Sequence, residues 1–317
     1  MQIADIITEY GAYYLNSGQN MASLYEVARQ PFVSEAEFTP VVTDDTIWRA
    51  AKTTVDSLVQ PFQKQFTPRG TVTVTPLEIR QYHMKVDTQE WPDDLEASWL
   101  GFLADGKLKR SEWPFIRWYL EKKFFPQIAE DMELKEFGRG VYAAPTAGTA
   151  GLTGTSMDGY LTTITKQITA NKITPIAMGA IPTGLNADKE FVDYVEEFSD
   201  QITEVYRNKA MSLRLSEDLM TMYQRGELEK YGKNTVAATN GLKVRFRELT
   251  IKAMPSHGTS KRIWATPREN MVVLKKKTQN QKLVDVQLQE RLVKFLTDWW
   301  TGVGFILPDV VFCNDQA

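Results

Sequence analysis

The sequence predicts a mixed α+β chain with an extended N-terminal third and a compact C-terminal two-thirds. Three observations predict it. Thr71-Val72-Thr73-Val74-Thr75 is β-branched throughout, the strongest strand signal in the chain. Apolar residues recur at helical spacing in four later stretches, beginning near residues 112, 156, 188 and 216. Strand-like segments then return after residue 242, so the strands must pair over long sequence distances.

Residues 1–40 read as an arm. Ile3, Ile6, Ile7 and Tyr10 share a helical face, as do Leu24, Val27 and Ala28. Both stretches are too short to be stable alone in water, so the arm must borrow stability from a neighbour. Residues 41–65 read as a helix, capped by Thr43 or Asp44, with Ile47, Ala51, Val55, Leu58 and Val59 on one face and Pro61 closing it. Residues 66–110 read as an extended loop. Pro68-Arg69-Gly70 is a turn, and the strands Thr71–Thr75 and Ile79–Lys85 flank Pro76 as a hairpin. An isolated hairpin is marginal in water, so this one needs a surface to lie on.

Residues 87–110 are a polar connection carrying Trp91-Pro92 and Trp99-Leu100-Gly101-Phe102. Residues 112–136 are helical, with Trp113, Ile116, Leu120, Phe124 and Ile128 as the apolar stripe and a bend expected at Pro126. The glycine-rich segment 138–156 lacks the Gly-Lys-Ser/Thr ending of a phosphate loop and reads as a connecting loop. Three helices follow. Their faces are Met157/Leu161/Ile164/Ile168, then Phe191/Val195/Phe198/Ile202, then Leu219/Met220/Tyr223. Strands are predicted around Ile173–Ile176, Val244–Ile251, Ile263–Ala265, Met271–Leu274, Val284–Leu296 and 303–312.

The chemistry available is sparse. One cysteine, Cys313, and two histidines, His83 and His257, exclude a disulfide framework and a Cys- or His-rich metal site within one chain. His257 follows Ser256, but no Gly-x-Ser-x-Gly elbow is present. The adjacent carboxylates Asp44-Asp45, Asp93-Asp94 and Glu196-Glu197 point apart on any regular element. Nothing reads as a catalytic, cofactor or metal site. No apolar run approaches the length of a membrane span. The net charge of −3 conceals an uneven spread: residues 1–60 hold eight acids against three bases, and residues 241–300 hold thirteen bases against five acids. Either surface charge merely fluctuates, or acidic and basic regions of different copies meet in an assembly.

Ile263-Trp264-Ala265-Thr266-Pro267-Arg268-Glu269-Asn270-Met271 resembles an element of tailed-bacteriophage major capsid proteins. Asp298-Trp299-Trp300-Thr301-Gly302-Val303-Gly304-Phe305, followed by Asp309-Val310-Val311-Phe312, resembles their closing strands, and the order of elements matches over nearly the whole chain. The resemblance implies the Hong Kong 97 capsid fold. It makes residues 1–40 an arm on a neighbouring subunit and 66–110 a loop over another. It makes 111–155 with 261–302 a peripheral domain built on a spine helix, and 156–260 with 303–317 an axial domain. Interface candidates are Tyr82, Lys85, Trp91, Trp99 and Phe102, with Trp91, Trp99 and Phe102 expected to be exposed anchors. A Lys85–Asn270 cross-link is formally available, although no sequence feature selects it.

The implied function is an icosahedral virion shell around double-stranded DNA, made in the host bacterial cytoplasm. Its partners would be copies of itself in hexamers and pentamers, a portal, decoration proteins and non-specifically contacted DNA, with no membrane and no cofactor. Only about 40 residues precede the first expected helix, which implies a separate scaffolding protein. The alternatives are an encapsulin-like nanocompartment shell and a soluble carboxylate-dependent enzyme.

Overall fold

The computed structural model describes residues 32–232, 243–245, 247–278 and 284–316. Most of the expected arm, and Phe246, lie outside these residues. The chain enters through a 3₁₀ turn at Glu35–Glu37 and the edge strand β1 (Thr39–Val42). A two-stranded ribbon follows, β2 (Ile47–Val55) antiparallel to β3 (Val72–Arg80). Gln81 alone separates β3 from β4 (Tyr82–Glu90), which turns away to join a different sheet.

The helix expected over 41–65 is therefore a strand, and the extended element spans β2 and β3 rather than 66–110. Ile47, Ala51 and Val55 fit period two as well as period four. The β-branched run Thr53-Thr54-Val55 finds its partners in Val72, Val74 and Thr73, and tertiary pairing overrides local spacing. Pro76 does not break β3, because a two-stranded ribbon leaves one edge of each strand without a ladder to donate to.

The polar connection expected over 87–110 contains a helix, α1 (Pro92–Asp105), with Pro92 in its first turn. The spine then runs without interruption through α2 (Phe115–Tyr119), a π turn (Leu120–Phe124), α3 (Phe125–Asp131) and a second π turn (Met132–Phe137). The amide of Phe125 bonds to Leu120 O, five residues back. This wide turn puts Pro126 in the first turn of α3, where a missing N–H costs little.

The remaining elements are α4 (Tyr160–Thr169), α5 (Ala187–Gln201), α6 (Glu204–Arg207), β5 (Met211–Leu215), α7 (Glu217–Tyr231), β6 (Leu249–Ala253) and β7 (Trp264–Thr266). Then come β8 (Met271–Lys275), β9 (Asp285–Gln289), β10 (Leu292–Phe305) and β11 (Phe312–Cys313). The single strand expected over Val284–Leu296 is a hairpin, turned at Glu290 with φ 58°. Ile173–Ile176 makes only an isolated bridge, Ile176 to Asn314.

Two sheets organise the body. The first has the order β1-β8-β10-β4, with β9 also on β10; β1 is parallel to β8 and the rest antiparallel. The second has the order β11-β7-β5-β6. One core lies between α5, α7 and the second sheet, around Phe191, Phe198, Leu213 and Tyr223. Another lies between α1, the spine and β10, around Trp99, Phe115, Leu120 and Phe295. A third joins them around Phe38, Phe137, Tyr160 and Trp264. Residues 301–305 of β10 pair with β8, so the chain leaves the first sheet only after Phe305.

Helices α5 and α7 cross closely at Gly226, where a Cβ would lie 1.9 Å from Asp188 O. Glycine in a helix interior is otherwise unfavourable, and this contact is its reason. Gly226→Ala should therefore destabilise the chain by about 1–3 kcal/mol through overpacking, despite alanine's better helix propensity. Urea unfolding of the two proteins checks this, and an unchanged or raised midpoint would refute it.

Candidate interaction surface

No cluster of three or more metal-capable side chains occurs among the described residues, and no described helix is long and apolar enough to cross a membrane. His257 is fully buried and neutral, so it is no exposed catalytic base. Cys313 is buried in β11 beside β7, and burial raises its thiol to about 11. The glycine-rich loop is pinned by Glu136, whose carboxylate accepts the amides of Gly154 at 2.7 Å and Ser156 at 3.0 Å.

The five interface candidates separate into two groups. Trp99 is 0% exposed, and its indole donates to Trp113 O at 3.0 Å. Phe102 packs edge-on against Trp113 at 5.1 Å, half-buried in the same core. Tyr82 is buried and donates to Asp158 at 2.5 Å. Burial alone would raise the Asp158 carboxyl. Hydrogen bonds from Lys166, Tyr82 and the Tyr142 amide outweigh it and hold the group below the usual range. Trp99 is thus a core residue, which corrects the expectation that it is an exposed anchor, and Tyr82 is buried as well. The signal was in the sequence: Leu95, Trp99 and Leu103 repeat every fourth residue, which is an inward helical stripe. Trp91, at 49% exposure, and Lys85, beside Asp87, do face outward. Asn270 is buried and donates to Thr266 Oγ1 and Leu307 O, both at 2.9 Å. That occupies the amide which the Lys85–Asn270 pairing would require.

The principal exposed apolar surface is the distal ribbon. Cross-strand pairs Val55/Val72, Thr53/Val74 and Ala51/Pro76 form one outward face, while Thr54/Thr73 and Lys52/Thr75 form the other. The connection between the strands adds Leu58, Val59, Phe62 (92% exposed) and Phe66 (89%). At its base the ribbon is fastened by Trp48 and Ile79 against Val272 and Leu274, and by Lys52 to Asp309 at 2.6 Å. A patch of this kind beyond a fastened base marks a contact surface.

Charge is spent within the chain. Lys252 binds Glu37, Lys275 binds Glu35, Arg245 binds Glu227, and Arg247 binds Asp200. Two acids of the entry segment, Glu35 and Glu37, thus find partners from the basic C-terminal region within one copy.

A buried polar chain connects these parts. Trp264 Nε1 can only donate, so at 3.0 Å it makes His257 Nε2 the acceptor and leaves the proton on Nδ1. His257 Nδ1 then donates to Tyr160 at 2.8 Å, Tyr160 to Ser256 at 2.7 Å, and Ser256 to Ser34 at 2.6 Å. Ser34 donates to Glu133 on the spine from both its hydroxyl and its amide.

No family model matches the sequence, and no curated protein matches it by sequence. Solved structures do match in fold. A chain of the satellite phage P4 procapsid, which includes the size determination (Sid) protein, superposes with a TM-score of 0.58 at 10% identity. The match covers 95% of this chain and 91% of that one. The capsid of Myoviridae phage XM1 gives 0.52 at 12% identity, covering 91% and 93%. The capsid of an empty GTA particle gives 0.51 at 11% identity, covering 91% and 97%. The fold is that of Hong Kong 97-like phage capsids.

Burial, with the positive charge of Arg214 and Arg262 nearby, pulls His257 from 6.5 down to about 3. Between those pH values the unfolded chain binds a proton that the folded chain refuses. Stability therefore falls as pH falls through this window, by up to about 1.4 kcal/mol per pH unit. His257→Gln can still accept from Trp264 and donate to Tyr160, and it should flatten this slope between pH 6.5 and 5. Equal slopes for the two proteins in urea unfolding would overturn the assignment.

Proposed function

We propose that this chain is a major capsid protein that assembles into the icosahedral shell enclosing the double-stranded DNA genome of a tailed phage. The observation that carries the reading is a capsid fold spanning nine-tenths of the chain and of its structural neighbours. The exposed apolar ribbon supports it, because a two-stranded element with an uncovered apolar face is marginal in water and gains stability when a second copy covers it. Each contact would be modest, and closed symmetry multiplies modest contacts.

In this reading the first sheet with the spine is the peripheral domain, the second sheet with α5 and α7 is the axial domain, and copies meet as hexamers and pentamers. Trp91 and Lys85 remain interface candidates, to which Phe62 and Phe66 are added. The function is structural, with no catalytic step. A separate scaffold, a portal and decoration proteins complete the particle, which assembles in the host bacterial cytoplasm, and contact with the packaged DNA is non-specific.

The test is a ribbon truncation in which Lys52 and Thr75, which pair across the strands, are joined by Asn-Gly. The variant should keep the helical circular dichroism of the intact protein and form no closed shells in negative-stain electron microscopy. The full chain should form shells, given a scaffold. Closed shells of normal size from the truncated chain would remove the ribbon from assembly. A small discrete oligomer from the full chain in every condition would remove the shell reading itself.

A further inference from the structure

The segment Ser34–Val42 touches the spine and both principal sheets. Ser34 is bound to Glu133 of the spine and to Ser256. Glu35 reaches Lys275 of β8 at 2.6 Å. Arg268 donates to Ala36 O at 3.1 Å. Glu37 takes Lys252 of β6 on both oxygens, at 2.8 and 3.0 Å, and Arg214 of β5 at 3.4 Å. Thr39–Val42 then pairs with β8. Consecutive residues thus tie the spine, the first sheet and the second sheet to one another.

The means of attachment matter. The axial core and the core between α1, the spine and β10 contain no residue of this segment. Its one fully buried apolar anchor is Phe38, seated against Phe137 at 5.1 Å and Tyr160 at 5.6 Å. Apart from Val41, half-buried against the Ile79, Val272 and Leu274 cluster, the rest is ionic or polar, and β1 is a four-residue edge strand with mostly exposed side chains. Elements with few buried apolar contacts open locally at lower free energy than the cores beneath them. Below Glu37 lies Arg214, 1% exposed, stacked over Trp264 at 4.9 Å, with an Nε that has no partner among the described residues. Arg214 and Lys252 therefore make an anion seat, and a carboxylate from the entry segment fills it.

We propose that Ser34–Val42 is a releasable strap, latched by Glu37 in the Arg214–Lys252 seat, which fixes the axial sheet against the spine and the first sheet. Docked, it adds a second tie between the two sheets beside the third core, which joins them around Phe137, Tyr160 and Trp264. Undocked, it removes only Phe38 from the buried cores and presents the seat to another carboxylate. A pull on the chain preceding Ser34 acts first on this latch. The inference rests on contacts within one copy and holds whether or not the chain builds a shell.

Hydrogen-exchange mass spectrometry of the full-length protein tests it. In Glu37→Ala the amides of 38–42 should exchange roughly tenfold faster, while those of 191–201 in α5 keep their rate. Lys252→Ala removes a part-exposed partner without stranding a buried charge, and should produce the same local effect at smaller size. Unchanged exchange at 38–42 in both variants would overturn the latch. So would acceleration of 38–42 and α5 together, since that reports global destabilisation. If Glu37→Ala does not fold, Lys252→Ala decides alone.

Discussion

The arrangement of the two sheets depends on how one buried guanidinium is accommodated. Arg214 projects from β5 into the interior, and a charge there is costly unless it is paired and hydrogen-bonded. Burial pulls its pKa down to about 10, and the Glu37 carboxylate opposes that shift. Burial would in turn raise Glu37, but the Lys252 hydrogen bond and the Arg214 charge outweigh it and hold the carboxyl below its usual value. Each group is tolerable only because the other is present. Since Glu37 belongs to the entry segment and Arg214 to the second sheet, a local electrostatic requirement becomes a constraint on topology: the chain must enter across the junction of the two sheets.

The polar chain from Trp264 to Glu133 satisfies the same junction. Its directions follow from one donor that cannot accept, the Trp264 indole. Six side chains from distant segments are then saturated in sequence without an exposed end. A network of this kind specifies one arrangement, because any displaced member leaves a buried donor or acceptor unmade. That is why the only Ser-His neighbour pair in the chain forms no active site. His257 has its two nitrogens committed, and Ser256 lies between two hydroxyls.

Helices α5 and α7 were legible in the sequence because both bury one face on a sheet, and their 3.6-residue periodicity is unbroken. Ser216 is a true cap, accepting the Leu219 amide at 3.4 Å. The architecture was legible through the order of elements. The ribbon was not, because Ile47, Ala51 and Val55 fit both periods and the deciding partner, Val72–Thr75, lies across a long connection. Helix α1 was obscured because its stretch read as a polar connection with Trp99 exposed, although Leu95, Trp99 and Leu103 point one way. The strap was illegible for a different reason. Ser34, Glu35 and Glu37 are ordinary surface residues by type, and only the fold places Glu133, Lys275, Lys252 and Arg214 around them. Local pattern carries periodicity, and it carries no information about a three-way contact assembled from residues 34, 133 and 252.

The ribbon presents the opposite case from the strap. The strap is held by charges that find their partners inside the copy, so its free energy is largely settled on folding. The ribbon's apolar face finds none there: Val55, Val72 and Val74 stay half exposed, and Phe62 and Phe66 nearly wholly so. Its base, by contrast, is fixed by Trp48, Ile79 and the Lys52–Asp309 pair. A rigid base with an unsatisfied apolar tip offers a neighbour burial at little ordering cost, because the geometry is set before contact. Two elements adjacent in sequence thus behave oppositely, the strap spending its interactions within the copy and the ribbon keeping an apolar face uncovered.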